Sequence, residues 1–290
     1  MRLTTFQKVG QFLQKAQDYL EKSEAANSLI LGVCQGLLEN PERIKQPPYL
    51  ALLELDGLPA AVAVRTPPNK LIIYSHLSAD TLDWSLLVKN LIERQNMLPG
   101  VTGQAPLVES FAASWDIAKG VSHKPGLRLR VYELTHVISP GYSPGILRLA
   151  IPSDMELVSR WVHAFQIEAL GEGSLDQARE TARLRIQDGD IFLWQIRQPV
   201  SMAAKARPTR HGVTVNEVYT PPEYRGKGYA SSCVASLSQY LLNSGWKFCT
   251  LFTDMSNPTS NSIYQKIGYR PVSDVDAYGF RGSCGGRGKT

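Results

Sequence analysis

Between residues 217 and 241 the chain reads EVYTPPEYRGKGYASSCVASLSQYL, an apolar strand-like run that passes two prolines and an Arg-Gly-Lys-Gly cluster straight into an amphipathic pattern. The start of a helix leaves N–H groups unpaired and carries a partial positive charge, so the amides from Gly226 through Lys227, Gly228, Tyr229 and Ala230 form a ready cradle for a phosphate. Glycine lets the backbone approach and take a positive φ. Arg225 and Lys227 add charge, or serve as ordinary solvated loop cations. Two nucleotide-binding patterns are excluded. A dinucleotide turn needs G-x-G-x-x-G, and Ser231 stands at the third small position. A Walker loop needs G-x-x-x-x-G-K-S/T, and the tail GSCGGRGKT has Ser283 where its first glycine belongs, with no residues left for a helix.

The elements that must hold this loop can be read from the pattern around it. HVISPGYSPGILRL breaks the chain between two strand-like runs, which divides it near residue 142. After the break, SDME and SLDQ have the form of capping boxes starting at Ser153 and Ser174, so two helices follow the first strand. IFLWQI, VSMAAKA and GVTVNEVYT then read as three strands. The glycine loop, its helix, the strand KFCTLFT, a helix from Asn257 to Ile267 and two strand-like pieces complete the order β, α, α, β, β, β, α, β, α, β, β. The first half carries an echo: PAAVAVRTPP from Pro59 aligns without gaps on PVSMAAKARP from Pro199, each between two strand-like runs. A duplicated lobe is expected. The N-terminus has Phe6, Val9, Phe12, Leu13, Ala16 and Leu20 at helical spacing and reads as a folded amphipathic helix.

Composition narrows the class. The 290 residues are 43% hydrophobic and 20% charged, enough apolar surface for two cores. No apolar run approaches the roughly 20 residues that span a bilayer, so no membrane association is expected. Cys34, Cys233, Cys249 and Cys284 form no C-x-x-C pair, and the five histidines lack ligand spacing. Free thiols, a cytoplasmic location and no metal are the expectation. The net charge of +5 suits an anionic small ligand, and no basic run interleaved with aromatics points to nucleic acid.

EVYTPPEYRGKGYA followed by NPTSNSIYQKIGY resembles the GNAT superfamily of acyl-coenzyme A N-acyltransferases, whose signature is R/Q-x-x-G-x-G/A after the fourth strand. Arg225, Gly228 and Ala230 fill that pattern. The resemblance is clear over residues 145 to 280 and faint before them. It implies an α/β (α+β) fold with a mixed central sheet flanked by helices, duplicated: a degenerate lobe over residues 1–142, a catalytic lobe over 143–280, and a disordered Gly-rich tail over 281–290. It further implies an enzyme that transfers an acetyl group from acetyl-coenzyme A to a primary amine, on a small molecule or a peptide. Under it, Val218, Tyr219 and Thr220 pair with pantetheine and polarise the thioester carbonyl, the loop from Arg225 to Ala230 binds the pyrophosphate, Asn257 lies near the coenzyme arm, and Tyr264 protonates the departing thiolate.

Taken alone, Asn257 followed by Pro258 is a sufficient helix cap, and Tyr264 one more core aromatic. A phenol of pKa about 10 is a weak donor to a thiolate whose conjugate acid is about 8.5, so the site must tune one of them or relay through water. Some members of the superfamily place a basic glutamate eleven residues before the signature Arg/Gln, and here that residue is Thr214. Glu217 is the nearest carboxylate, on the opposite strand face unless a bulge intervenes. Asn216, on the matching face, is the residue to hold a water instead. A catalytically inactive acyl-coenzyme A binding or regulatory module is the alternative. The acceptor, the acyl length and the oligomeric state stay open. The first lobe, with Asp80 and Asp83 where phosphates would sit, is expected to bind no coenzyme.

Overall fold

The computed structural model describes residues 1–281 apart from 44, 95, 96 and 172; the Gly-rich tail expected after residue 280 lies almost wholly outside the described residues. In chain order the elements are β1 (Arg2–Phe6), α1 (Val9–Glu21), α2 (Ser28–Glu39), β2 (Tyr49–Leu55), β3 (Leu58–Arg65), β4 (Leu71–Ser75), α3 (Ser85–Glu93), β5 (Gly100–Gln104), α4 (Ala105–Lys119), β6 (Ser122–Leu134), β7 (Ile146–Leu149), α5 (Met155–Leu170), α6 (Leu175–Gln187), β8 (Ile191–Gln195), β9 (Pro199–Ala206), β10 (Gly212–Tyr219), α7 (Tyr229–Asn243), β11 (Phe248–Asp254), α8 (Pro258–Ile267) and β12 (Arg270–Arg281). They form two compact units. The first comprises Met1–Val131, Asp254–Ser256 and Val272–Thr290, the second Tyr132–Thr253 and Asn257–Pro271.

In the first unit the strand order is β1-β2-β3-β4-β5-β12. All neighbours run antiparallel except β4 and β5, which are parallel. Alternation along β2 and β3 sends Ala51, Leu53, Ala61 and Ala63 to one face, under Leu87 and Leu91 of α3 and Phe111 and Trp115 of α4. Leu50, Leu52, Val62 and Val64 face the other way, against Phe12 and Leu20 of α1 and Ile30 and Leu31 of α2. The last strand closes this sheet, pairing Val275 with Gln104 through to Gly279 with Gly100.

The second unit repeats the plan. Its order is β7-β8-β9-β10-β11, antiparallel except for the parallel pair β10 and β11. Helices α5 and α6 pack Val158, Val162, Ala178 and Ala182 onto Leu193, Met202 and Ala204. On the opposite face α7 and α8 bring Val234, Leu237, Leu241 and Ile267 against Ala203, Val213 and Val215. The echo at Pro59 and Pro199 falls on β3 and β9, the third strand of each unit, so a shared architecture underlies it. Among the described residues, no helix is long and apolar enough to cross a membrane.

Three local expectations are corrected. Residues Arg2–Phe6 are a strand, not the first turn of the N-terminal helix, because adjacent β-branched Thr4 and Thr5 favour pairing with β2 over a helical start. The Ser153 and Ser174 boxes do not close: neither serine makes a cap bond. At the first of them Asp154 fixes the chain entry, accepting from Ile151 N at 2.8 Å while held by Arg148. The two final strand-like pieces are one continuous strand, β12.

Candidate functional site

The pattern GVTVNEVY makes β10 a buried strand, and its capacity to meet a ligand depends on where its pairing stops. The parallel ladder to β11 joins Gly212 to Phe248, Val213 to Cys249 and Thr214 to Thr250, and no further. At its end two fully buried threonine hydroxyls share a hydrogen bond of 3.0 Å. On the other edge, the register to β9 slips between Asn216 and Tyr219. Glu217 sits inside that slip with φ at 48°, so one extra residue bulges out of the strand. The ladder is therefore interrupted on both edges of the same short segment.

The bulge also re-aims the carboxylate. Glu217 is 8% exposed, and its Oε1 lies 3.2 Å from Arg185 Nη2 at the end of α6. Its Oε2 is buried without a hydrogen-bond partner. Burial pushes this carboxyl above the ordinary glutamate range, while Arg185 and Arg207 pull it back. Sequence reasoning named the bulge as the condition for Glu217 and missed both arginines, since they come from separate elements. Thr214 carries no charge and is spent on Thr250. Asn216 stays partly exposed beside the bulge, opposite Ala204.

Downstream, Tyr219 O accepts from Ser201 Oγ at 3.1 Å, and Thr220 Oγ1 bonds the same hydroxyl at 2.8 Å. Val218 packs on the core beneath α7. Thr220 O accepts from Arg225 Nε at 2.8 Å, and the same guanidinium reaches Glu168 at 2.7 Å. Arg225 also lies over the Tyr219 ring, 5.8 Å from its centroid. Gly226 and Gly228 both have φ at 75°, the left-handed region that a glycine adopts without strain. Gly228 is the residue before α7, and no side chain caps that helix. A Cβ on Gly228 would stand 2.7 Å from Ser143 Oγ, which itself donates to Lys227 O. Lys227 Nζ bonds Glu223 O at 3.0 Å, while Tyr229 packs its ring on the core and leaves its amide, with that of Ala230, in the first turn. The residues named from sequence for an anion cradle thus form one loop and one uncapped helix start.

Helix α8 carries the other two candidates. Asn257 Oδ1 accepts from Ser260 N at 3.0 Å, so its carbonyl oxygen caps the helix. Tyr264 is 9% exposed and meets Tyr269 edge-on at 6.1 Å between centroids. Desolvation pushes its phenol up to about 12, with a smaller opposing pull from Ser260. A proton leaving Tyr264 for a thiolate would then be uphill by about 5 kcal/mol.

A duplicated β-α-α-β-β-β-α-β-α plan, with the parallel pair parted beside a bulge and a glycine turn feeding the next helix, decides the fold. This is the GNAT fold. Residues 193–276 match the family model described as FR47-like protein. An acetyltransferase from the GNAT family of Colwellia psychrerythraea is 12% identical, with a TM-score of 0.59, 97% of this chain covered and 100% of that one. A GCN5-related N-acetyltransferase from Sphaerobacter thermophilus is 16% identical at a TM-score of 0.61, covering 95% and 94%. A tandem GNAT protein from the clavulanic acid biosynthesis pathway is 12% identical at 0.55, covering 97% and 98%. No curated protein sequence matches the chain. At these identities the likeness is one of fold, and the tandem GNAT arrangement extends along both units.

Proposed function

We propose that the second unit is an N-acetyltransferase that passes an acetyl group from acetyl-coenzyme A directly to a primary amine, on a small molecule or a peptide. The observation that carries this reading is the run of interrupted pairing, bulge, left-handed glycines and uncapped α7 within residues 214–230. These features suit the group in three respects. An extended pantetheine needs a strand edge without a partner, a pyrophosphate needs free amides at a helix start, and neither tolerates side chains where Gly226 and Gly228 stand.

Bound acetyl-coenzyme A supplies the thioester that reacts. The chain's own part begins at the bulge, where main-chain N–H groups around Val218 and Tyr219 would polarise the acyl oxygen. Glu217, as a carboxylate, takes a proton from the acceptor's ammonium, directly or through a water held by Asn216, so that the free amine can attack. Tyr264 offers its hydroxyl hydrogen bond to the departing sulfur and, given the cost of ionising it, releases its proton only as it receives the one that the acylated nitrogen loses. Asn257 acts by fixing the start of the helix that carries Tyr264.

A second reading is a coenzyme-binding module without turnover. It is favoured by the Arg185 ion pair, which neutralises the one carboxylate on the bulge. Incubating the intact chain with acetyl-coenzyme A and fractionated amine pools separates the two. Release of free thiol that depends on an added amine, with an acetylated product by mass spectrometry, supports transfer. Saturable coenzyme binding with no amine-dependent thiol from any pool would leave the binding module.

A further inference from the structure

Residues 135–145 join β6 to β7 and contain two Ser-Pro-Gly breaks, yet the segment is fastened at several points. Val137 is buried in the core shared with α7 and α8. Ile138 N donates at 2.7 Å to the oxygen of Ile267, the last residue of α8, and a Cβ on the following Gly268 would stand 2.8 Å from His136 O. At the other end Pro144 O accepts from Trp194 Nε1 of β8 at 3.2 Å. Between these anchors Ser143 meets the glycine loop. Its Oγ donates to Lys227 O at 2.7 Å, and its N–H donates at 2.9 Å to Ser232 Oγ, on a fully buried serine in the first turn of α7. Gly228 makes room for it, since a side chain there would meet Ser143 Oγ at 2.7 Å.

The bond to Lys227 O has a directional consequence. A trans peptide points its C=O and its N–H opposite ways across one plane. By drawing the Lys227 carbonyl to its own side, Ser143 aims the N–H of Gly228 to the other. This peptide needs an outside hold. It ends on Gly228, whose φ of 75° is one of several that glycine adopts with ease, so the plane can turn over at little cost. The Lys227 side chain does not prevent that, because its Nζ is bonded to Glu223 O in the preceding turn. A reversed peptide would present a carbonyl oxygen where an anion needs an amide.

We infer that Ser143 is a positioning residue of the coenzyme loop: its hydroxyl sets the Lys227–Gly228 peptide so that the Gly228 amide faces the pyrophosphate. This rests on the acetyl-coenzyme A reading for the identity of the anion. Ser143 stands on the carbonyl side of the peptide and acts through it. The anchors at Ile138 and Pro144 place Ser143 from α8 and β8, so one short segment ties the loop to the helix that carries Tyr264.

The test is calorimetry with coenzyme A on the intact chain, accompanied by the amide spectrum of the 15N-labelled protein. Ser143→Ala should weaken coenzyme A about tenfold, the loss of one hydrogen bond that orders the loop, and Ser143→Thr, which keeps the hydroxyl, should recover most of it. Ser232→Ala removes the acceptor of Ser143 N while leaving Ser143 and the loop in place, and should weaken coenzyme A by a smaller factor. In the unaltered chain the Gly228 amide resonance should shift on saturation with coenzyme A. Parent-like affinity in Ser143→Ala and Ser232→Ala, a Ser143→Thr as weak as Ser143→Ala, or a Gly228 resonance that coenzyme A leaves unmoved overturns the inference while the coenzyme reading stands. An unaltered chain that binds no coenzyme A removes that reading and this inference with it.

Discussion

The two units share one succession of elements, yet the strand ends beyond their parallel ladders are finished differently. In both, the parallel ladder stops after three pairs, at Thr214 in β10 and at Ile73 in β4, but only in the second does a bulge follow. In the first, β4 keeps a regular register to β3 as far as Ser75. The three amides at its end are already taken: Ser75 N donates to Gln104 Oε1 at 3.4 Å, His76 N to Tyr19 Oη at 2.9 Å, and Leu77 N to Ser75 Oγ at 2.8 Å. At α3, Asp83 accepts from Ser85 N and Ser85 Oγ, both at 2.9 Å, and those bonds hold its carboxyl below the usual aspartate range. Under the proposed reading, this carboxylate lies in the segment that corresponds to the phosphate loop of the second unit. The coenzyme site, under that reading, depends on polar backbone left unsatisfied at chosen points, and the first unit has satisfied its own.

The sharpest way to break this contrast is Gly228→Val. A β-branched residue at φ 75° with its Cβ 2.7 Å from Ser143 Oγ should abolish coenzyme A binding, about a hundredfold or more by calorimetry. The unaltered chain should bind one equivalent. Two equivalents would mean that the first unit is not closed as described.

Glu217→Gln comes next, with turnover expected to fall by about 10² to 10⁴ once an acceptor is in hand. The pH dependence carries a sign. Because burial raises the carboxyl above its unfolded value, its contribution to stability is present in full below the ordinary glutamate pKa and is lost as pH rises through the raised one. The base form, and with it the rate, grows over that same interval. Thermal melts and rates measured across pH should move in opposite directions in the parent and lose this coupling in Glu217→Gln. A rate limb that survives the substitution would assign the base to another group.

Tyr264→Phe removes a hydroxyl and leaves the core contact with Tyr269. We expect turnover to drop about tenfold with coenzyme affinity unchanged. A change confined to within about twofold would make Tyr264 a core aromatic only. The smallest effect belongs to the first unit. Asp83→Ala removes the two hydrogen bonds that Asp83 accepts from Ser85 and should lower stability by about 1 kcal/mol, read as a shift in melting temperature. It should create no second binding site, since the amides of Ser75, His76 and Leu77 remain occupied.

What could be read from the sequence divides along the same line. The glycine turn was legible because Gly226 and Gly228, with the helix pattern behind them, are local and contiguous. The duplication was legible at Pro59 and Pro199 because equivalent middle strands keep similar packing. The aim of Glu217 was not, since one residue's backbone angle decides it and that angle is set by pairing with β9. Arg185 and Arg207 escaped for a related reason: each is unremarkable in its own segment and gains meaning only when α6, the end of β9 and the bulge converge. The strand at Arg2–Phe6 was misread because Phe6 fits a helical period as well as a strand.

The closing strand β12 has a consequence for how this chain is made. Thr102 Oγ1 donates to the main-chain oxygen of Asp276, a contact that joins residues 174 apart in sequence. At ordinary translation speeds those residues leave the ribosome on the order of 10 to 35 s apart. The unit that is synthesised first therefore cannot finish its sheet until the last strand is delivered, and β5 waits meanwhile as an open edge. A nonsense mutation just before residue 270 would spare almost every residue of the second unit and strike the first.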